Sequence, residues 1–119
     1  MKLRLWFPAL VLGLVSIFAL SGCKSAHINV TVLNQTGETI KLVEVDYPSA
    51  SFGIDTLANG ASYQYLIQVR LSGNTKVQYT DAQSKIVKIT GPELKEGEQG
   101  TMTITLLPDG KANFEPHLK

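Results

Sequence analysis

The chain is 119 residues long, 44% hydrophobic and 18% charged, with a formal net charge of +1. This is the composition of one ordinary globular domain, and it excludes disordered and collagen-like chains. The Lys and Arg residues are scattered singly, without the basic face and interleaved aromatics that nucleic acid binding requires.

The chain starts "MKLR", which carries Lys2 and Arg4, and residues 5–20 then run without a charge. That run is shorter than the roughly 20 apolar residues that cross a bilayer, and Pro8 interrupts it. A basic start, an apolar run and small residues after it form the profile of a secretory signal over residues 1–22.

Leu20, Ser21, Gly22 and Cys23 close this segment, and Cys23 is the single Cys of the chain. The four residues resemble the lipobox of bacterial lipoproteins at every position. The resemblance implies that Cys23 is alkylated with diacylglycerol, that the chain is cut before it, and that the new amine is often acylated as well. More than one acyl chain holds a protein stably on a membrane where a single chain is marginal. Other uses of the thiol fail on counting, because a disulfide needs a second Cys, zinc needs several ligands and a nucleophile needs a base. His27 and His117 are the two histidines and lie near opposite ends of the chain, so solvated or strand-edge positions are expected of them.

Removing Lys2 and Arg4 from the eleven basic residues leaves nine against ten acidic ones, a formal net of −1, which selects no charged partner. The tether, residues 23–27, reaches less than roughly 17 Å when extended. The folded domain is therefore expected to sit close against the headgroups. In lipoproteins of the kind resembled, Asp after the Cys marks retention in the inner membrane; Lys24 stands here, which implies the outer membrane where the cell has one.

From Ile28 onward the period is two and no long stretch has a helical period, so residues 28–119 are expected to form an all-β domain. Ile28, Val30 and Val32 alternate with polar residues, "NQTG" supplies a turn, and "ETIKLVEVDY" resumes the pattern, which predicts a hairpin. Ile40 and Leu42 share one parity and Val43 and Val45 the other, which predicts a bulge near Leu42 and Val43. "FGIDTL" is a short strand, and Asn59-Gly60 marks a tight turn before "ASYQYLIQVRL". In that last run Tyr63, Tyr65, Ile67, Val69 and Leu71 share a face, which predicts a central strand. "TKVQYTD" and "IVKIT" follow, then a loop "GPELKEGEQ", then "TMTITLL" with Met102, Ile104 and Leu106 inward, and a short final strand "KANFE".

About seven or eight strands at roughly 8 to 12 residue spacing are the signature of an antiparallel sandwich. The stretches "VLNQTGETIKLVEV" and "LANGASYQY" resemble the rhythm of small immunoglobulin-like modules of bacterial surface proteins. The resemblance implies an immunoglobulin-like sandwich and no shared activity.

Catalytic chemistry finds little support. Ser and Thr are plentiful, but a nucleophile needs a nearby base, and no Gly-x-Ser-x-Gly elbow or phosphate-binding loop is present. Asp46 and Asp55 are the pair that a small glycan-active hydrolase would use, if they faced each other across a cleft. Glu93, Glu96 and Glu98 lack the spacing of a calcium loop. The sequons at Asn29 and Asn34 carry no glycosylation expectation in a bacterial lipoprotein. No metal or cofactor is expected. The candidate binding loop is "DYPSASFG", with Tyr47, Pro48 and Phe52 in a stretch without strand alternation. The chain is thus expected to be a non-catalytic lipoprotein that binds or braces another envelope component, protein or glycan. The alternatives are an inhibitor or sensor that inserts a projecting loop, and the small hydrolase.

Overall fold

The computed structural model describes residues 26–119; the expected signal segment, Leu20, Ser21 and Gly22 of the lipobox resemblance, and Cys23 lie outside the described residues. Eight strands follow in order: β1 (Ile28–Asn34), β2 (Ile40–Tyr47), β3 (Ala50–Leu57), β4 (Ser62–Ile67), β5 (Gly73–Thr80), β6 (Ile86–Leu94), β7 (Gly100–Leu107) and β8 (Lys111–Leu118). They form two four-stranded sheets, in the orders β4-β1-β7-β8 and β3-β2-β5-β6. The all-β reading stands, with eight strands in two layers.

Alternation dictates the packing. In β1 the residues Ile28, Val30 and Val32 are buried, and in β7 so are Met102, Ile104 and Leu106, because the pleat turns every second side chain to one face. Val43, Val45, Phe52, Ile54, Val77 and Tyr79 meet them from the other sheet, and one continuous core results. Among the described residues, all eight strands and the whole of this core fall within residues 28–118.

Three hairpins are local: β2–β3, β5–β6 and β7–β8. The connections from β1 to β2, β3 to β4, β4 to β5 and β6 to β7 each cross from one sheet to the other. The predicted hairpin of β1 with β2 is therefore corrected. β1 pairs antiparallel with β4 and parallel with β7, so the sheet is mixed rather than purely antiparallel. The reason lies at Asn34, whose backbone N–H donates to Ala61 O at 3.0 Å and whose O accepts from Gly60 N at 2.7 Å, turning the chain away from β1.

The bulge expected near Leu42 is present. The pairing of β2 with β5 shifts between Lys41 and Glu44, and Leu42 takes φ +51°, which leaves it exposed while Val43 returns to the core. β6 runs through "TGPEL" to a buried Leu94, where a loop was expected. An extra residue opposite the span from Asn74 to Lys76 accommodates Gly91 and Pro92, and an edge strand tolerates the missing N–H of proline.

β4 is an edge strand, not a central one, and Tyr63 and Tyr65 are partly exposed. Only Ile67 of this strand and Val69 beyond it are buried, and Leu71 points to solvent. A face defined by parity is covered only where the opposite sheet extends over it.

The two ends of the sandwich differ. At one pole lie the start of β1, the β2–β3 turn, residues 68–72 and residues 95–99, joined by hydrogen bonds. Ser49 Oγ donates to Gln68 O at 3.2 Å, Gly97 N to Val69 O at 3.0 Å and Gly100 N to His27 O at 3.1 Å. At the other pole lie the turn after β1, residues 58–61, residues 81–85 and the 3-10 turn Pro108–Gly110. A strand of seven or eight residues separates them by about 23 to 27 Å.

Candidate functional site

Tyr47, Pro48 and Phe52 were expected in a loop. Tyr47 pairs with Ala50 across the hairpin, so Pro48 and Ser49 are a two-residue turn and nothing projects. That corrects the loop expectation for residues 47–54. Proline presets one turn dihedral and Ser49 closes the turn on Gln68 O and Arg70 N, which leaves no slack to extrude. Phe52 is buried in β3.

These residues do come together with two that the sequence placed in the core. The Phe52 ring lies 4.7 Å from that of Tyr65, planes 26° apart, and 6.4 Å from that of Tyr63, planes 27° apart. Tyr47 packs at the rim of the core, and burial, followed by the neighbouring Tyr65, pushes its phenol above the usual pKa. The four rings line the seam between edge strands β3 and β4. Tyr63 is 38% exposed and Tyr65 42%. β4, "SYQYLI", has no charged side chain, and its outer backbone edge pairs with no strand among the described residues. An uncharged edge flanked by open aromatic faces suits an extended peptide or the apolar face of a sugar ring.

The far pole holds a cleft of about 690 Å³ lined by Glu38, Tyr79, Asp81, Lys85, Lys88 and Asp109 among others. Two of its acids accept backbone hydrogen bonds. Glu38 Oε1 accepts from Ala82 N at 3.3 Å, and Asp81 Oδ1 accepts from Gln83 N at 3.0 Å and Lys85 N at 2.9 Å. Burial raises the Tyr79 pKa, and the charges of Asp81 and Glu38 add to it. A phenol with a raised pKa beside carboxylates supplies a hydrogen-bond donor to this cleft.

Asp46 and Asp55 share no cleft. Asp46 pairs with Ser51, and Asp55 lies four residues along β3 from it, about 13 Å away on the outer face. The nearer carboxylate of Asp46 is Glu44, whose pKa is raised by a side-chain hydrogen bond with Asp46, then by its charge. Glu93 stands on β6 opposite Asn74, Glu96 N is bound by Ser72 Oγ at 3.0 Å, and Glu98 accepts from Lys95 N. Among the described residues no group of three or more His, Cys, Asp or Glu converges to hold a metal ion.

His27 and His117, far apart in sequence, line one shallow surface pocket with Gln99, Gly100 and Lys119. The parallel β1–β7 pairing sets Ile28 beside Gly100, and the β7–β8 pairing sets His117 beside Thr101. A Cβ on Gly100 would collide with the His117 carbonyl, which is why glycine stands there, at φ +135°. Among the described residues no helix is long and apolar enough to cross a membrane.

No family model matches the chain, and no curated protein matches it. The fold is similar to that of an NMR structure of a protein from Eubacterium rectale, with a TM-score of 0.56 at 14% identity over 79% of this chain and 93% of that one. A likeness at that identity concerns the fold.

Proposed function

We propose that this chain is a lipid-anchored, non-catalytic module of the bacterial cell envelope, held by acyl chains on Cys23 and binding or bracing an envelope protein or glycan. The observation that carries this reading is the start of β1 at Ile28, so close behind the lipobox cysteine that the anchor leads almost directly into a rigid domain. Lys24 after the Cys favours the outer membrane where the cell has one. The sandwich is read as immunoglobulin-like, which the strand order supports and from which the parallel β1–β7 pair departs. The order β3-β2-β5-β6 follows its C′CFG sheet and the pair β1–β4 its B and E strands, while β7 and β8 occupy the place beside β1.

The recognition surface is the aromatic seam of Tyr63 and Tyr65, because its rings and edge are open, whereas Glu38 and Asp81 of the far cleft each accept from backbone N–H groups. The hydrolase reading lacks support, since Asp46 and Asp55 sit apart on an exposed face. The inserted-loop reading lacks it too, because the β2–β3 turn is two residues long and residues 96 and 97 are bonded back to Ser72 and Val69.

The test is the mass of the mature protein extracted from bacterial membranes, wild type against Cys23→Ala. A mass of residues 23–119 plus lipid, absent in the variant, is the expected outcome, and an uncut or unlipidated wild type overturns the reading. Photo-cross-linking from position 65 in the membrane then identifies the partner.

A further inference from the structure

We propose that the pole from which the tether emerges docks on the bilayer, with Leu71 as an apolar tip in the lipid interface, so that the strands stand away from the membrane and the far cleft faces outward. The inference rests on the lipid anchor at Cys23 and deepens it by fixing the contact surface of the domain.

Three observations converge. The tether of residues 23–27 is short, and His27 is fixed at this pole by the bond from Gly100 N, which keeps the pole within reach of the headgroups. Leu71 is 61% exposed at the tip of the link between β4 and β5, on the same pole. The link is held on both sides. Arg70 N donates to Ser49 Oγ at 3.2 Å, Glu96 N to Ser72 Oγ at 3.0 Å and Gly97 N to Val69 O at 3.0 Å. An isolated surface leucine is ordinary, but one held out on a pinned link beside the membrane tether has an apolar phase within reach.

The described charges of this pole are of both signs, with Arg70, Lys95 and Lys119 standing among Glu96 and Glu98. The apolar tip together with the tether decides the orientation. Leu66 and Ile86 are also exposed, but Leu66 is on the side of the sandwich and Ile86 at the far pole.

The sequence supplies a clean probe, since its one tryptophan is Trp6, which the signal peptidase removes with residues 1–22. Residues 23–119 contain every strand and the whole core that the described residues form. Cys23 of this protein is coupled by maleimide to a lipid in phosphatidylcholine vesicles brominated along the acyl chains, which makes the test independent of whether cells lipidate the cysteine. Leu71→Trp and, separately, Ile86→Trp report by fluorescence. The expected result is a shift of emission to shorter wavelength and bromine quenching for Leu71→Trp, with neither for Ile86→Trp. Quenching at both positions, at neither, or at Ile86 alone overturns the proposal. Failure of the anchor itself would appear instead in the mass of the cellular protein.

Discussion

Asn34 has a fully buried side chain with every polar atom satisfied. Its Nδ2 donates to Glu38 O at 2.8 Å and Leu57 O at 2.9 Å, and its Oδ1 accepts from Thr36 N at 3.0 Å and Thr36 Oγ1 at 2.7 Å. The residue holds the turn after β1 against the end of β3, on the other sheet. Asn34→Ala strands these partners in a dry site, and we expect a loss of about 2 to 4 kcal/mol in denaturant unfolding. Thr75 is the opposite case. Its Oγ1 is buried in β5 with no hydrogen-bond partner among the described residues, so Thr75→Val, which keeps the shape and removes the orphaned hydroxyl, should leave stability unchanged or raise it by about 1 kcal/mol. A measured loss above that size would mean the hydroxyl is bonded. The sequence shows Asn34 as a turn residue, which its bonds to Thr36 and Glu38 match, but its bond to Leu57 twenty-three residues away and the unpartnered hydroxyl of Thr75 are set by the tertiary structure.

The run "ASYQYLIQVRL" shows what alternation decides for an element and what it leaves open. Parity groups Ile67 with Leu71, but β4 ends at Ile67, which is buried, and Leu71 falls in the link beyond it and is exposed. Ile67→Ala, like Ile104→Ala in β7, should cost about 2 to 5 kcal/mol, while Leu71→Ala should stay within about 0.5 kcal/mol of wild type in the same unfolding assay. Equal losses at 67 and 71 would restore the single-face reading. The strand "TMTITLL" was fully legible because a strand inside its sheet is covered along its whole length. The edge strand was not, since its open rings are apolar by type and only the limits of the opposite sheet expose them. The loop expected over "GPELKEGEQ" holds for residues 95–99 but not for residues 91–94: glycine and proline signal a loop, but an edge strand absorbs both in a bulge.

For the whole molecule, the sequence by itself determined the class of the domain and its size. Period-two alternation from Ile28 onward permits one buried face per strand, and about eight such strands bury their faces by stacking into two layers. It also fixed the anchor expectation, because a lipobox is read as contiguous residues and needs no fold around it. Pairing was decided by tertiary structure alone. The "NQTG" turn has the chemistry of a hairpin, yet Asn34 bonds across to Leu57 and Ala61, so β1 and β2 part into different sheets and β1 takes β7 as a parallel partner. That crossing gathers Tyr47, Phe52, Tyr63 and Tyr65 into one seam and His27, Leu71, residues 95–99 and Lys119 at one pole. Local chemistry sets which face of a strand is apolar. Which strand lies beside it is set by long-range hydrogen bonds and by coverage, and the surfaces of the protein follow from those.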